Sequence, residues 1–129
     1  QQIWAYGSET LFKQVIQNIF KNSVYAINEN NTNEPIFIIT LTNTYKSATL
    51  QFCDNGGGVS SAVIDNMLQP YYSTKPVTEG TGIGLALCND VIAKMHGNLE
   101  CMNIYEGFLV SITLPLTPNP NTNKQANTD

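Results

Sequence analysis

Apolar residues in this chain change their spacing three times along its length, and that order of periods restricts the fold more than any other feature. From Thr10 to about Asn28, Leu11, Val15, Ile19 and Ala26 recur at helical spacing with Ile16, Phe20 and Ile27 beside them, and Ser8 is placed to cap the start. Asn30, Asn31, Thr32, Asn33 and Pro35 punctuate the end of that helix. Ile36 to Thr42 and Ala48 to Cys53 then read as two antiparallel strands about a turn at Thr44-Tyr45-Lys46. Asp54-Asn55-Gly56-Gly57-Gly58 breaks the second strand, Ser60 to about Leu68 reads as a short serine-capped helix, and Pro70 stops it. A second long helix is predicted from Ile83 to His96 with Gly97 as its C-terminal cap. Asn98 to Ile104 and Phe108 to Leu114 are two further strands, the alternation of Val110, Ile112 and Leu114 marking a half-buried face. Helix, strand pair, short helix, helix, strand pair predicts an α/β fold, a mixed sheet covered on one face by helices.

A chain of 129 residues is long enough to bury one core, so residues 1–116 are expected to form one domain. Residues 117–129, with Pro118, Pro120 and a run of Asn, Thr and Gln, read as a disordered polar tail or linker. Charged residues make up only 12%, and the formal net charge of -4 argues against a broad electrostatic footprint on nucleic acid or an anionic membrane. Any bound anion must then be held locally, by backbone amides, a metal ion or a single lysine. Cys53, Cys88 and Cys101 show no CxxC spacing and suggest neither a disulfide framework nor a zinc site. Without a long apolar run or a leader the chain reads as a cytosolic piece of something longer, whose parent could still be membrane-anchored.

Four constellations carry chemistry. Asn18 and Asn22 lie four apart on the first helix and share a face, where amide oxygens suit a hydrated Mg ion or are simply surface polarity. Asp54 ends a strand before three glycines; a carboxylate accepts from an exocyclic amino group and glycines let a flat ring approach, although an ordinary Asp-Asn-Gly turn has the same letters. Gly80-Thr81-Gly82-Ile83-Gly84-Leu85 opens directly into a helix and offers unpaired N–H groups to a phosphate, with neither Rossmann nor Walker spacing; a flexible glycine hinge is the plain alternative. Residues 71–82 lack periodicity and read as a mobile lid, in which Lys75, beside Thr74, is either a phosphate contact or a solvated charge. His96 reads as structural, Tyr25 as a residue that could flank a nucleotide, and Trp4 as a packing residue.

In this order the segments resemble the ATP-binding domain shared by sensor histidine kinases, gyrase-type ATPases, the large heat-shock chaperone and mismatch-repair ATPases. Gln14 to Ser23 looks like the asparagine box, Asp54 to Val59 like the first glycine box, Gly80 to Leu85 like the second, and Pro70 to Lys75 like the aromatic box peculiar to histidine kinases. The resemblance implies an α/β two-layer sandwich, a mixed and mostly antiparallel sheet backed by three helices, with an ATP lid from about Ser60 to Thr81. It assigns Mg to Asn22 with help from Asn18, and the adenine amino group to Asp54 in a pocket shaped by Gly56 and Gly58. Gly80, Thr81, Gly82, Ile83, Gly84 and Leu85 would cradle the phosphates, with Tyr25, Thr74, Lys75 and Thr113 as further nucleotide contacts.

In the gyrase-like relatives a glutamate one turn before the metal asparagine activates water, and here Asn18 stands in its place. Hydrolysis is expected to be poor and phosphoryl transfer, with Asn18 and Lys75 in the catalytic set, is favoured. The implied acceptor is a histidine on a separate dimerisation domain of a homodimeric parent, with a response regulator downstream. Lys21 to Ile27 and Ala86 to Gly97 look faintly like the quorum-sensing branch. Ser23, Val24 and Tyr25 depart from the alanine and basic residue that many histidine kinases carry after the metal asparagine. The alternatives are an anti-sigma-type serine protein kinase and a non-catalytic nucleotide-binding docking module.

Overall fold

The computed structural model describes residues 2–69 and 84–121. Its elements run β1 (Trp4–Ala5), α1 (Glu9–Glu29), β2 (Phe37–Asn43), β3 (Ser47–Asp54), α2 (Ser61–Asn66), α3 (Gly84–Lys94), β4 (Asn98–Ile104) and β5 (Gly107–Thr117). The expected sandwich is present, and each described strand pair is antiparallel. β5 lies inside the sheet, with β3 along one side from Asp54↔Phe108 to Ser47↔Pro115. On its other side β4 pairs from Ile104↔Gly107 to Asn98↔Thr113, and β1 follows at Leu116 and Thr117. β2 lies beyond β3.

Ser8 caps α1 as expected, its hydroxyl accepting the Leu11 N–H at 3.2 Å. The helix buries Val15, Ile19 and Ser23, a stripe at steps of four, whereas Leu11 and Phe20 are exposed. That stripe meets Leu85, Cys88, Val91, Ile92 and Met95 from α3. Alternation in the strands supplies the other wall: Phe52 in β3, Leu99 in β4, and Phe108, Val110, Ile112 and Leu114 in β5. Leu50↔Ile112↔Leu99 and Phe52↔Val110↔Cys101 are successive rows across the sheet on the helix side. The next row, Phe37↔Asp54↔Phe108↔Asn103, carries a carboxylate where the apolar rows stop.

Three local expectations need correction. β5 runs on through Pro115 to Thr117, beyond the predicted end at Leu114 and the domain limit at 116. Leu116 donates its N–H to the Lys46 carbonyl at 2.8 Å, so by alternation Pro115 turns its nitrogen away from β3, toward the junction between β4 and β1 where a missing donor costs little. Trp4 belongs to β1, a strand of two residues and too short to show a period. The left-handed residue that ends α3 is His96, at φ 63, with Gly97 one step later. His96 N–H donates to the Ala93 carbonyl at 3.0 Å and Gly97 N–H to the Ile92 carbonyl at 2.9 Å, the paired bonds of a Schellman cap. Gly97 is needed for closeness, because a Cβ there would lie 2.5 Å from the Thr113 carbonyl oxygen. His96 stacks on Tyr6 with ring centroids 5.8 Å apart, in keeping with its structural reading.

Candidate nucleotide-binding site

Asp54 ends β3 with its side chain on the helix side, and it is 6% exposed. A buried carboxylate must be met by donors. Ser23 of α1 donates its hydroxyl to Oδ2 at 2.6 Å, and the Gly56 N–H donates to Oδ1 at 2.9 Å. One oxygen is thus tied to the helix and the other to the glycine segment, and each keeps a lone pair for a further donor.

The chain after Asp54 is fixed on every side. Asn55 accepts the Ile36 N–H at 2.8 Å and donates to the Glu34 carbonyl at 3.0 Å, which holds the β2 approach against it. Gly57 N–H donates to the Glu106 carbonyl at 3.0 Å in the β4–β5 turn. Asn103 closes both bonds with Val59, accepting its N–H at 2.9 Å and donating to its carbonyl at 2.7 Å. Gly57 and Gly58 have φ of 90° and 72°, and a side chain on Gly56 would strike Ala26 and Ile27 of α1 at 2.9 Å. A Cβ on Gly58 would meet Asn103 Oδ1 at 2.6 Å. The glycines expected to let a ring approach therefore first let this segment press against α1 and β4.

Asn18 and Asn22 are half-buried on α1, on the side adjoining the Val15-Ile19-Ser23 stripe. The Cys88 thiol of α3 donates to the Val15 carbonyl of α1 at 3.7 Å, so the two helices are joined there by polar groups as well as packing. Burial pushes the Cys88 thiol up to about 11 against the opposing effect of the Asn18 side chain, and burial with neighbouring Cys88 pushes Cys101 up to about 12. Both thiols stay protonated at neutral pH. Tyr25 is half-buried one turn beyond Asn22. Gly84 opens α3, and a Cβ there would have none of the described residues within 4 Å. Leu85 packs its side chain in the core, which leaves its backbone at the first turn of α3 as the part that the expected cradle would use.

Thr113 is not brought to this site. It pairs with Thr49 across β3 and β5, five residues along from the Asp54 row and on the opposite sheet face, its hydroxyl 3.4 Å from that of Thr49. Thr74, Lys75, Gly80, Thr81, Gly82 and Ile83, with the remainder of the expected lid from Pro70 onward, lie outside the described residues. The lid's opening part is ordered as α2, capped by Ser60, with Val59, Ile64, Met67 and Leu68 against the core. Sequence reasoning missed Ser23 as a site residue. Its signal was available: Ser23 continues the Val15–Ile19 stripe at a core position, where a hydroxyl requires a buried partner.

Asp54, Ser23 and the glycine segment meet at one end of the sheet, and α1, which carries Asn18 and Asn22, packs on α3. Residues 7–118 match the family described as histidine kinase-, DNA gyrase B- and HSP90-like ATPase. The chain belongs to this family. It is 30% identical over 116 residues to the C4-dicarboxylate transport sensor protein DctB of Pseudomonas aeruginosa, covering 90% of this chain and 19% of that protein. Sporulation kinase B of Bacillus subtilis is 31% identical over 111 residues, 85% of this chain and 25% of the kinase. The chain therefore spans a quarter or less of these relatives' lengths. The catalytic domain of histidine kinase ThkA has the same fold, with a TM-score of 0.72 at 25% identity over 87% of this chain and 70% of that domain. The chain is homologous to the ATP-binding catalytic domains of sensor histidine kinases, and the serine-kinase and docking-module readings are not favoured.

Proposed function

We propose that the site at the Asp54 end of the sheet binds Mg-ATP and presents its γ-phosphoryl group to a histidine on a separate dimerisation domain. The observation that carries this reading is the Asp54 carboxylate, buried, held by two donors and still able to accept from a third. An exocyclic amino group supplies such a donor, whereas a 6-oxo purine would place an acceptor against an acceptor. Recognition of adenine over guanine follows.

Asn22 fits a magnesium site of the sparse kind, in which one or two protein oxygens share the ion with water and phosphates. Among the described residues no group of three His, Cys, Asp or Glu forms a protein cage for a metal. When bound, the ion neutralises phosphate charge. Asn18, one turn before Asn22 on the same face of α1, serves as a secondary oxygen near that position. The N-terminal turn of α3, with open space at Gly84, directs N–H groups and the positive end of the helix dipole toward an anion. The same Asn18 amide cannot take a proton from water, so hydrolysis is slow and ATP is retained for transfer. Thr74 and Lys75 complete the proposed set from the lid, with a response regulator downstream of the acceptor histidine and a homodimeric parent. Asn22→Ala should remove most of the Mg dependence of ATP binding, measured by calorimetry with and without Mg. Full Mg dependence in that variant would move the metal to another residue.

A further inference from the structure

The sheet face opposite the helices is polar along most of its length and apolar at the Asp54 end. Its rows alternate with those of the core. From the β2–β3 turn onward, one row across four strands holds three threonines and Asn98, and the next holds Thr40, Gln51, Ser111 and Glu100. The row beside Asp54 is different: Ile38↔Cys53↔Leu109↔Met102, across β2, β3, β5 and β4. Ile38 is 53% exposed and Met102 54%, and Ile104, 37% exposed, prolongs the stripe along β4. None of these side chains packs in the core. A continuous apolar row on an open face that is otherwise polar marks a contact surface.

The charges around the row have one sign. Every basic residue of the chain is a lysine. Of the described ones, Lys13 and Lys21 are on α1 and Lys94 on α3, in the helix layer, and Lys46 is in the β2–β3 turn at the far end of the sheet. The row is bordered by acids instead. Glu100 is exposed on the neighbouring row of the same face. Glu34 and Glu106, both exposed, stand at the Asp54 end, where their carbonyls accept from the Asn55 side chain and the Gly57 N–H. Two copies joined by this face bring acid to acid with no lysine to match, and an anionic membrane is repelled by it.

We infer that a basic amphipathic helix of a partner protein docks on this row. Four strands at about 4.8 Å spacing give the row a length of about 14 Å, which about ten residues of helix match. Such a helix lays apolar residues at i, i+3 or i+4 and i+7 along Ile38, Cys53, Leu109 and Met102. Lysine or arginine on one flank faces Glu100, and on the other faces Glu34 and Glu106. Apolar cover supplies the affinity and the acids select the sign of the partner.

Cys53 lies within the row, whereas Cys88 and Cys101 belong to the helix side, so alkylation of Cys53 in the full chain reports cover on this face. The probe is a peptide of about 16 residues, long enough to hold a helix, with leucine at helical spacing and lysine on both flanks. A control peptide has glutamate in place of lysine. At saturation the lysine peptide should slow reaction of Cys53 with iodoacetamide about tenfold, read by mass spectrometry, and the glutamate peptide should not. Met102→Asp adds an acid and removes apolar cover, so it should weaken the lysine peptide about tenfold, where plain charge attraction would strengthen it. Glu100→Lys should weaken it as well. Failure of the lysine peptide to protect Cys53, or protection that survives Met102→Asp, would overturn the inference. So would self-association of the wild-type chain that shields Cys53, since a second copy would then be the occupant. Circular dichroism and urea unfolding show that each variant is folded.

Discussion

Burying the Asp54 side chain would be costly without donors, and it receives one from α1 and one from its own glycine segment. Ser23 spends its only proton on Asp54 and can offer the pocket nothing but lone pairs, which strengthens selection for a ligand with an amino group. Ser23→Ala should cost about 1.5–3 kcal/mol of stability, the range for a hydrogen bond to a charged group, read from urea unfolding. It should also weaken ATP about tenfold while leaving pyrophosphate nearly unchanged, because the carboxylate loses its fixed orientation. Equal weakening of both ligands would reduce Ser23 to a packing role. Asp54 itself was legible from the sequence because a strand ended there before three glycines. Ser23 was not, because in the sequence a serine beside Asn22 looks like helix surface, and only the stripe it shares with Val15 and Ile19 reveals it as buried.

At the scale of elements, the glycines divide by what their missing side chains make room for. Gly107 lets the β4–β5 turn press on the end of β3, where an added Cβ would collide with the Asp54 carbonyl oxygen. Gly107→Ala should therefore destabilise the fold by about 1–3 kcal/mol, as overpacking does, and weaken ATP by displacing Asp54. Gly84 is the opposite case. With none of the described residues within 4 Å of an added Cβ, Gly84→Ala should leave stability equal or higher by about 0.5–1 kcal/mol, since alanine is the better helix former. If the start of α3 cradles phosphate, that variant nevertheless binds ATP and pyrophosphate more weakly. Stability by urea unfolding and affinity by calorimetry, set side by side, separate the two roles; unchanged affinity in Gly84→Ala would remove it from the phosphate site. Elements with a long period were legible from the start, as α1, α3 and the four longer strands show. β1 and the extension of β5 were not, because their pairing joins residues far apart in the chain, Trp4 with Thr117 and Ser47 with Pro115, and neither carries a repeat. Thr113 came in through the family resemblance, yet its place between Ile112 and Leu114 already turned it to the face opposite the core, and the register adds that it lies five residues from the Asp54 row.

For the molecule as a whole, the buried thiols give the folded state a pH limit. Cys88 and Cys101 titrate from an ordinary value of 9.0 only near about 11 and about 12 in the fold, chiefly because burial disfavours the thiolate. The unfolded chain releases these protons at lower pH, so it binds fewer protons than the folded chain between these values. Stability is unaffected by these groups below pH 9 and falls as pH rises from there toward 11 and 12. The urea midpoint should decline over that window, and less so in a Cys88→Ala, Cys101→Val variant compared with its own value at pH 8. An equal decline in both would assign the effect to tyrosines and lysines.

The central claim is that a carboxylate at the end of β3 reads adenine beside a separate phosphate cradle. Calorimetric titration with ATP and GTP in the presence of Mg, for the wild-type chain and Asp54→Asn, tests it most directly. The wild-type chain should bind ATP well above GTP, and Asp54→Asn should lose that preference while pyrophosphate binding persists. Equal binding of ATP and GTP by the wild-type chain, or a preference that survives in Asp54→Asn, would contradict the account.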